Sequence, residues 1–340
     1  MEAVLGSVWR QQRHPVSDNS HVAAVRRAAG DIAHGMGFGE VRAGEVAICV
    51  TEAATNILKH AGQGEILLRP IGGKGIEVLA LDNGPGVHNL QAAFADGTSS
   101  AGSYGVGFGA MRRLSAMFDI HSAPGQGTAL YMLVCAAGQD CIPARRVGIV
   151  CLPIGGETVP GDCWGIACAP TEATLMVADG LGHGILAAEA SEAAVGLLAR
   201  VPPGGPTTLM EDAHGLLRST RGAAVAVAHL DSLAERLTYA GIGNIAAHVF
   251  NGGERRQLVS HNGIVGSNMR KVQEFTCPWQ EGAILVMHSD GLTSRWDLDA
   301  YPGLAARHPA LIAAILYRDH CRGRDDVTVV VLTEEHHERP

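Results

Sequence analysis

The pattern of apolar and polar positions divides the chain into two stretches of different rhythm. In Val41–Ala61 the residues Val46, Val50, Ala53 and Ile57 recur at spacings of four, three and four, which predicts an amphipathic helix. Two apolar runs follow, Glu65–Ile71 and Ile76–Leu81, separated by the turn signal GGKG, and both read as strands. The second run ends at Asp82, just before NGPG. A glycine-rich loop spans Val87 to Gly109, a helix is predicted over Ala110–Phe118, and Thr128–Ala136 reads as another strand. Residues 137–146 mix Gly, Gln, Asp, Pro and Arg and read as a linker. Strands dominate after it: Val147–Ile154, Trp164–Ala169, Thr174–Ala178, Ala223–Leu230, Leu237–Ala240, Ala283–His288 and Val327–Leu332. Helices are predicted at His183–Arg200, Thr207–Ser219 and Pro302–Tyr317. The expected organisation is a domain at 1–136, the linker, a domain at 147–334 and a polar tail at 335–340, with no internal repeat.

Composition fits this division. The 340 residues suit two cores, and 46% apolar content excludes a disordered chain. The net charge of −8 argues against nucleic acid as a partner. Eight cysteines are scattered without CxxC spacing, several inside apolar runs, so neither zinc nor a disulfide framework is expected. The first residues lack a signal-peptide pattern and no run is long and apolar enough to span a membrane. A reducing cytoplasm is the expected setting.

Candidate chemistry falls into two groups. In the first half, Glu52 and Asn56 lie four residues apart and share a helix face beside the apolar stripe, where a carboxylate and an amide can hold a metal ion and a water. Alone, they read as a polar helix edge. Asp82, Gly84 and Gly86 form DNGPG at a strand end, where backbone can approach a flat ligand, although DNG and PG are also ordinary turn signals. Gly105, Gly107 and Gly109 alternate just before a helix, a pattern that exposes N–H groups to phosphate. Gly127 and Thr128 open a strand in GQGTAL. Each element is weak singly, but their order makes the combination specific.

That order resembles the GHKL ATPases over roughly residues 15–136, with DGTSSAGSYGVGFGAMRRLSAMFDI most similar to the RsbT branch of the RsbT and RsbW switch kinases. The resemblance implies an α/β sandwich of Bergerat type. It implies that Asn56 ligates magnesium and Glu52 acts as catalytic base. Asp82 would bond the adenine amino group, with Gly84 and Gly86 shaping its pocket. Gly105, Gly107 and Gly109 would line the ATP phosphates, and Gly127 and Thr128 would stand near the adenine. The implied substrate is a serine or threonine of a STAS-domain regulator. The first basic residues after the lid glycines are Arg112 and Arg113, so stabilisation of the transferring phosphoryl group would rest on metal and backbone N–H groups.

In the second half, Asp162, Asp179, Asp290 and Asp325 each border an apolar strand at a glycine or turn. Singly they are turn residues. Together they suit an all-oxygen site for hard divalent cations. DGLGHG, SDGL and DDVTVVV together resemble the PPM-type phosphatases of the SpoIIE and RsbX group over roughly residues 145–334. The resemblance implies an α-β-β-α sandwich and two manganese or magnesium ions on Asp179, the Gly180 carbonyl, Asp290 and Asp325. Asp162 would ligate directly or hold a metal-bound water, and Asp326 competes with Asp325 for its place. His183 is either a proton donor or a helix-start residue beside the metal loop, and His288 either neighbours the metal site or sits in the core. His336 and His337, in the tail, carry no assignable role.

The two resemblances together imply a cytoplasmic switch controlling sigma-factor or stress signalling. It would phosphorylate a STAS-domain antagonist and dephosphorylate that or a related phosphoprotein. Two other readings stay open: a phosphatase with a nucleotide-sensing first half, and a binding protein of the anti-sigma type with a sigma factor as partner. Neither nucleic acid nor a membrane is an expected partner.

Overall fold

The computed structural model describes residues 2–6, 10–87, 90, 105–143, 145–199 and 205–334. By their contacts these form two units, each drawing on two or more parts of the chain. The first, here the N-terminal unit, is Trp9–Pro143 with Asp297–Ile315; the C-terminal unit is Met1–Val8, Ala144–Trp296 and Leu316–Pro340. Chain order alone gave the expectation of one domain at 1–136 and another at 147–334, and two short segments depart from that order.

The N-terminal unit is a five-stranded antiparallel sheet backed by helices. Strand β1 (Glu2–Leu5) belongs to the other unit. The sheet order is β2 (Gln12–Val16), β3 (Gly64–Ile71), β4 (Gly75–Asp82), β6 (Thr128–Cys135) and β5 (Met117–Ser122). Helices α1 (Asn19–Gly35), α2 (Glu40–Ala61) and α3 (Gly105–Leu114) contribute to its core. The stripe Val46, Val50, Ala53 and Ile57 is buried against Ile66, Leu68, Val78, Leu130 and Met132, as helical spacing requires. Helix α1 buries only Val25, Ala29 and Ala33, and Asp18 caps it by accepting from Ser20 N and His21 N. Across β3 and β4, Arg69 and Glu77 form a buried two-pronged ion pair, with both bonds at 2.9 Å. This geometry satisfies both charges where water is excluded. The segment Asp297–Ile315 lies on β5 and β6. His308 stacks on Tyr131 at 4.0 Å, and Asp119 accepts from His308 N at 2.7 Å.

The C-terminal unit has two antiparallel sheets. The six-stranded sheet runs β1, β8 (Asp162–Cys168), β9 (Glu172–Gly180), β10 (Ala223–Asp231), β11 (Arg236–Ile242), β14 (Phe275–Pro278). The five-stranded sheet runs β13 (Glu254–Leu258), β12 (Ala246–Asn251), β15 (Ile284–His288), β16 (Val327–Thr333), β7 (Val147–Leu152). Helices α4 (Ile185–Val195) and α5 (Pro206–Leu216) pack Ala190, Ala194, Leu209 and Met210 on Met176, Ala178, Val225 and Val227. Helix α6 (Pro309–His320), whose residues up to Ile315 belong to the N-terminal unit, is buried along most of its length. Among the described residues no helix is long and apolar enough to cross a membrane.

Several sequence expectations need correction. The helix expected over Ala110–Phe118 spans Gly105–Leu114, and Phe118 lies in β5. Gly105, Gly107 and Gly109 are therefore inside the helix rather than ahead of it. The helix expected at Pro302–Tyr317 begins at Pro309, after a short 3-10 turn at Leu304–Ala306. The helix expected from His183 begins at Ile185 and passes into a 3-10 turn at Gly196–Ala199. Cys135 and Cys141 form a disulfide, against the expectation of none. Gly75 makes the space for it, because a Cβ there would overlap the Cys141 sulfur. The proposed lid residues before Gly105, Arg200, and the tail with His336 and His337 lie outside the described residues.

Candidate functional sites

In the N-terminal unit the first-half motifs converge on one cleft. It is lined by Ala53, Asn56, Ile57, His60, Ala80, Asp82, Pro85, Gly86, Phe108, Thr128 and Leu130. Strand pairing sets Asp82 opposite Thr128. Asp82 Oδ1 accepts from Gly84 N at 2.8 Å and from Thr128 N at 3.2 Å, so two backbone groups fix the carboxylate at the cleft. Gly127 N donates to Gly84 O at 3.1 Å, tying the two glycine turns together. Ser122, absent from the sequence reading, donates to Gly127 O and meets Thr128 Oγ1, each at 2.9 Å. Glu52 and Asn56 reach the same region from α2. A Cβ on Gly107 would stand 2.7 Å from Glu52 Oε2 and 3.8 Å from Asn56 Nδ2, so the start of α3 rests on both. Asn56 Nδ2 is buried without a hydrogen-bond partner. A buried amide with unused capacity, aimed at a cleft, fits a polar ligand there. Gly109 faces Arg113 of its own helix rather than the cleft.

In the C-terminal unit the acidic residues gather where the two sheets end. Asp162 and Asp179 are register partners across β8 and β9. Asp290 lies two residues beyond β15, and Asp325 two residues before β16. Because these strands pair antiparallel, both aspartates leave from the same end. Ser289 Oγ donates to Asp162 Oδ2 at 2.6 Å and accepts from Thr328 N at 3.0 Å, which joins the sheets at the site. Asp325 and Asp326 differ in their partners. Asp326 accepts from Ile154 N and Gly161 N, both at 2.7 Å, and is buried as a structural brace. Asp325 stays exposed, and its charge acts on Asp179. Asn244 Nδ2 donates to Asp290 Oδ2 at 2.8 Å and also supports Asp179. Gly180 and Gly291 are required by close approach: a Cβ on Gly180 would overlap the Ala187 carbonyl, and one on Gly291 the Asp326 carbonyl.

Burial, then the charges of Asp290 and Asp325, push Asp179 up to about 7. Burial, then the charge of Asp179, raises Asp162 well above the usual carboxylate range. Crowded, desolvated carboxylates of this kind fit a divalent cation, which would relieve both penalties. The side chains stand apart as they are: among the described residues no three of His, Cys, Asp and Glu are drawn into a closed metal cage. His183 Nδ1 lies 2.7 Å from Glu157 Oε1 and is mostly exposed. His288 belongs to the core: it is buried, with Nδ1 toward Ser289 O at 2.8 Å and Trp296 Nε1 donating to Nε2 at 3.3 Å.

These shifts give the metal-free protein a definite pH response. The folded form binds a proton on Asp179 near pH 7 that the unfolded chain takes up only near pH 4, so the folded form gains stability as pH falls through 7. Buried His248 and His288, each lowered to about 4, work in the opposite direction below pH 6.5. In chelator, Tm is expected to rise from pH 8 to about 6.5 and to level or fall below that. A Tm that falls steadily from pH 8 to 6.5 would contradict this assignment.

Comparison with known proteins follows the same division. A family model of the histidine kinase-like ATPase domain matches residues 16–134. The model of stage II sporulation protein E matches residues 170–334. The serine/threonine-protein kinase RsbT of Bacillus subtilis is 32% identical over 112 residues, covering 32% of this chain and 84% of RsbT. The phosphoserine phosphatase RsbX of Bacillus subtilis is 25% identical over 138 residues, covering 40% of this chain and 69% of RsbX. A chain from a solved structure of "the bacterial stressosome: a modular system that has been adapted to control secondary messenger signaling" is 27% identical with a TM-score of 0.52, covering 55% of this chain and 97% of that one. The protein thus belongs to the RsbT-type kinase family through its first half, and its second half is similar to the SpoIIE and RsbX phosphatases.

Proposed function

We propose that this chain is a cytoplasmic two-way switch that adds phosphate to a protein serine or threonine with one unit and removes it with the other. The N-terminal unit would bind ATP and phosphorylate a STAS-domain regulator. The C-terminal unit would dephosphorylate that protein or a related phosphoprotein, so that the balance controls sigma-factor or stress signalling. One observation supports the phosphatase half: Asp179, the register partner of Asp162, is raised to about 7 by burial and by the charges of Asp290 and Asp325. The kinase half is supported by Glu52, Asn56 and Gly107 meeting beside the Asp82–Thr128 cleft.

Each group has a distinct task in this reading. Asp82 takes the adenine amino group, held for it by Gly84 N and Thr128 N. Asn56 would hold magnesium. Glu52 takes the proton of the incoming serine or threonine hydroxyl. In the other unit Asp179, the Gly180 carbonyl, Asp290 and Asp325 would hold two manganese or magnesium ions, and Ser289 fixes the Asp162 carboxylate. When bound, such ions would supply a water of lowered pKa as the nucleophile toward phosphorus. Asn244 orients Asp290, and Glu157 holds His183, which would serve as proton donor to the leaving group.

Metal removal tests the phosphatase half. Chain dialysed against chelator is expected to lose more than 95% of its hydrolysis of p-nitrophenyl phosphate, as a rough threshold, and to recover it when about two equivalents of Mn2+ are added. Undiminished hydrolysis after verified metal removal would refute the dinuclear site.

A further inference from the structure

The loop that follows Asp179 presents a second surface. Strand pairing sets Asp179 against Ala224 and Gly180 against Ala223. Leu181 N then donates to Gly222 O at 3.0 Å, extending the ladder and bringing Arg221 across from Gly182. A Cβ on Gly182 would lie 3.0 Å from Arg221 Nη1, so the guanidinium rests over a position that carries no side chain. Arg221 is exposed and has no ion-pair or hydrogen-bond partner among the described residues. An unpaired guanidinium beside a cluster of carboxylates is suited to a phosphate, whose oxygens match its planar donors.

Beside it lies an unusual concentration of apolar surface. Nine large hydrophobic side chains are exposed among the described residues, and three of them fall within six positions: Leu181 at 40%, Ile185 at 68% and Leu186 at 50%. The buried face of α4 is built from Ala187, Ala188, Ala190, Ser191 and Ala194, so Ile185 and Leu186 are not needed for its packing. Further along the helix the outward position is Glu189. The exposed apolar groups are thus confined to the end of α4 that adjoins the acidic site. Clustered apolar surface of this kind marks an interaction site. A small phosphorylated metabolite offers little to cover it, whereas a phosphoserine or phosphothreonine on a protein brings apolar neighbours along with its phosphate.

We propose that Leu181, Ile185 and Leu186 form a recognition rim for a phosphorylated protein segment with apolar residues flanking the phosphoresidue, and that Arg221 grips its phosphate. This rests on the phosphatase reading and specifies its substrate class. Within it, Arg221 contributes ground-state binding, and the rim selects protein over small phosphate esters.

The test compares three substrates of the full chain with Mn2+: p-nitrophenyl phosphate, a phosphoserine peptide flanked by leucines, and one flanked by glycine and serine. Wild type is expected to favour the leucine-flanked peptide over the glycine-flanked one by about tenfold in kcat/KM, the worth of roughly one buried apolar side chain. Ile185→Glu and Leu186→Glu are expected to bring that ratio to within about twofold while p-nitrophenyl phosphate hydrolysis changes less than about twofold. Arg221→Ala is expected to raise KM for both peptides about tenfold with little change in kcat, and Arg221→Lys to restore part of the loss. Equal rates on the two peptides in wild type, or an unchanged ratio in the Glu variants, would overturn the rim. An unchanged KM in Arg221→Ala would overturn the phosphate grip. Absence of any Mn2+-dependent hydrolysis of p-nitrophenyl phosphate is a separate result: it would remove the phosphatase reading and this inference with it.

Discussion

Asp179→Asn is expected to lower phosphatase kcat/KM by about a thousandfold or more while nucleotide affinity stays within about twofold of wild type. Asp179 stands at the centre of the acidic group: it faces Asp162 across the β8–β9 ladder and feels the charges of Asp290 and Asp325. An amide of the same size keeps the shape but cannot supply the negative charge that binds and bridges cations. The substitution also removes a crowded, desolvated carboxylate, so metal-free Asp179→Asn is expected to be at least as stable as wild type at pH 8. That sign separates a functional role from a structural one. A structural aspartate would lose Tm with the charge; this one is expected to hold or gain it. Mn2+-dependent hydrolysis and Tm measured on one preparation check both statements, and near-wild-type hydrolysis would refute the assignment.

Glu52→Gln is expected to slow phosphoryl transfer to a STAS-domain protein by about a hundredfold to ten-thousandfold while ATP binding persists. Glu52 contacts the start of α3 at Gly107 and shares that contact with Asn56. The cleft proposed for the nucleotide lies against Asp82 and Thr128, and Glu52 is absent from its lining. Removing a base there affects the transfer step and spares nucleotide affinity. A comparable loss of ATP affinity, seen by calorimetry, would show that Glu52 acts in binding instead.

The parts legible in the sequence were those in which large side chains or motif glycines carry the signal. Val46, Val50, Ala53 and Ile57 announce α2 because bulky residues mark the buried face. Helix α1 was not legible: its buried face of Val25, Ala29 and Ala33 contrasts weakly with the polar residues between. In MRRLSAMFDI no glycine or proline separates α3 from β5, so the helix reading ran into the strand. The Cys135–Cys141 pairing depends on the turn after β6 and on the space left at Gly75, neither of which spacing reveals.

The candidate sites divide in the same way. The four proposed phosphatase aspartates stood out in the sequence because each borders an apolar strand at a turn. Their supports did not, because Asn244, Ser289 and Glu157 arrive from separate loops and carry no motif of their own. The bracing role of Asp326 also needed three dimensions, since only its through-space bonds to Ile154 N and Gly161 N show it.

The central claim is that one chain runs phosphate in both directions on a protein side chain. Its most direct measurement uses γ-labelled ATP, Mg2+ and a STAS-domain protein with the Asp179→Asn chain, followed by unlabelled ATP and wild-type chain with Mn2+. The expected result is label on a serine or threonine of the STAS-domain protein in the first step and its release as inorganic phosphate in the second. No label transfer in the first step, with nucleotide binding intact, would contradict the account.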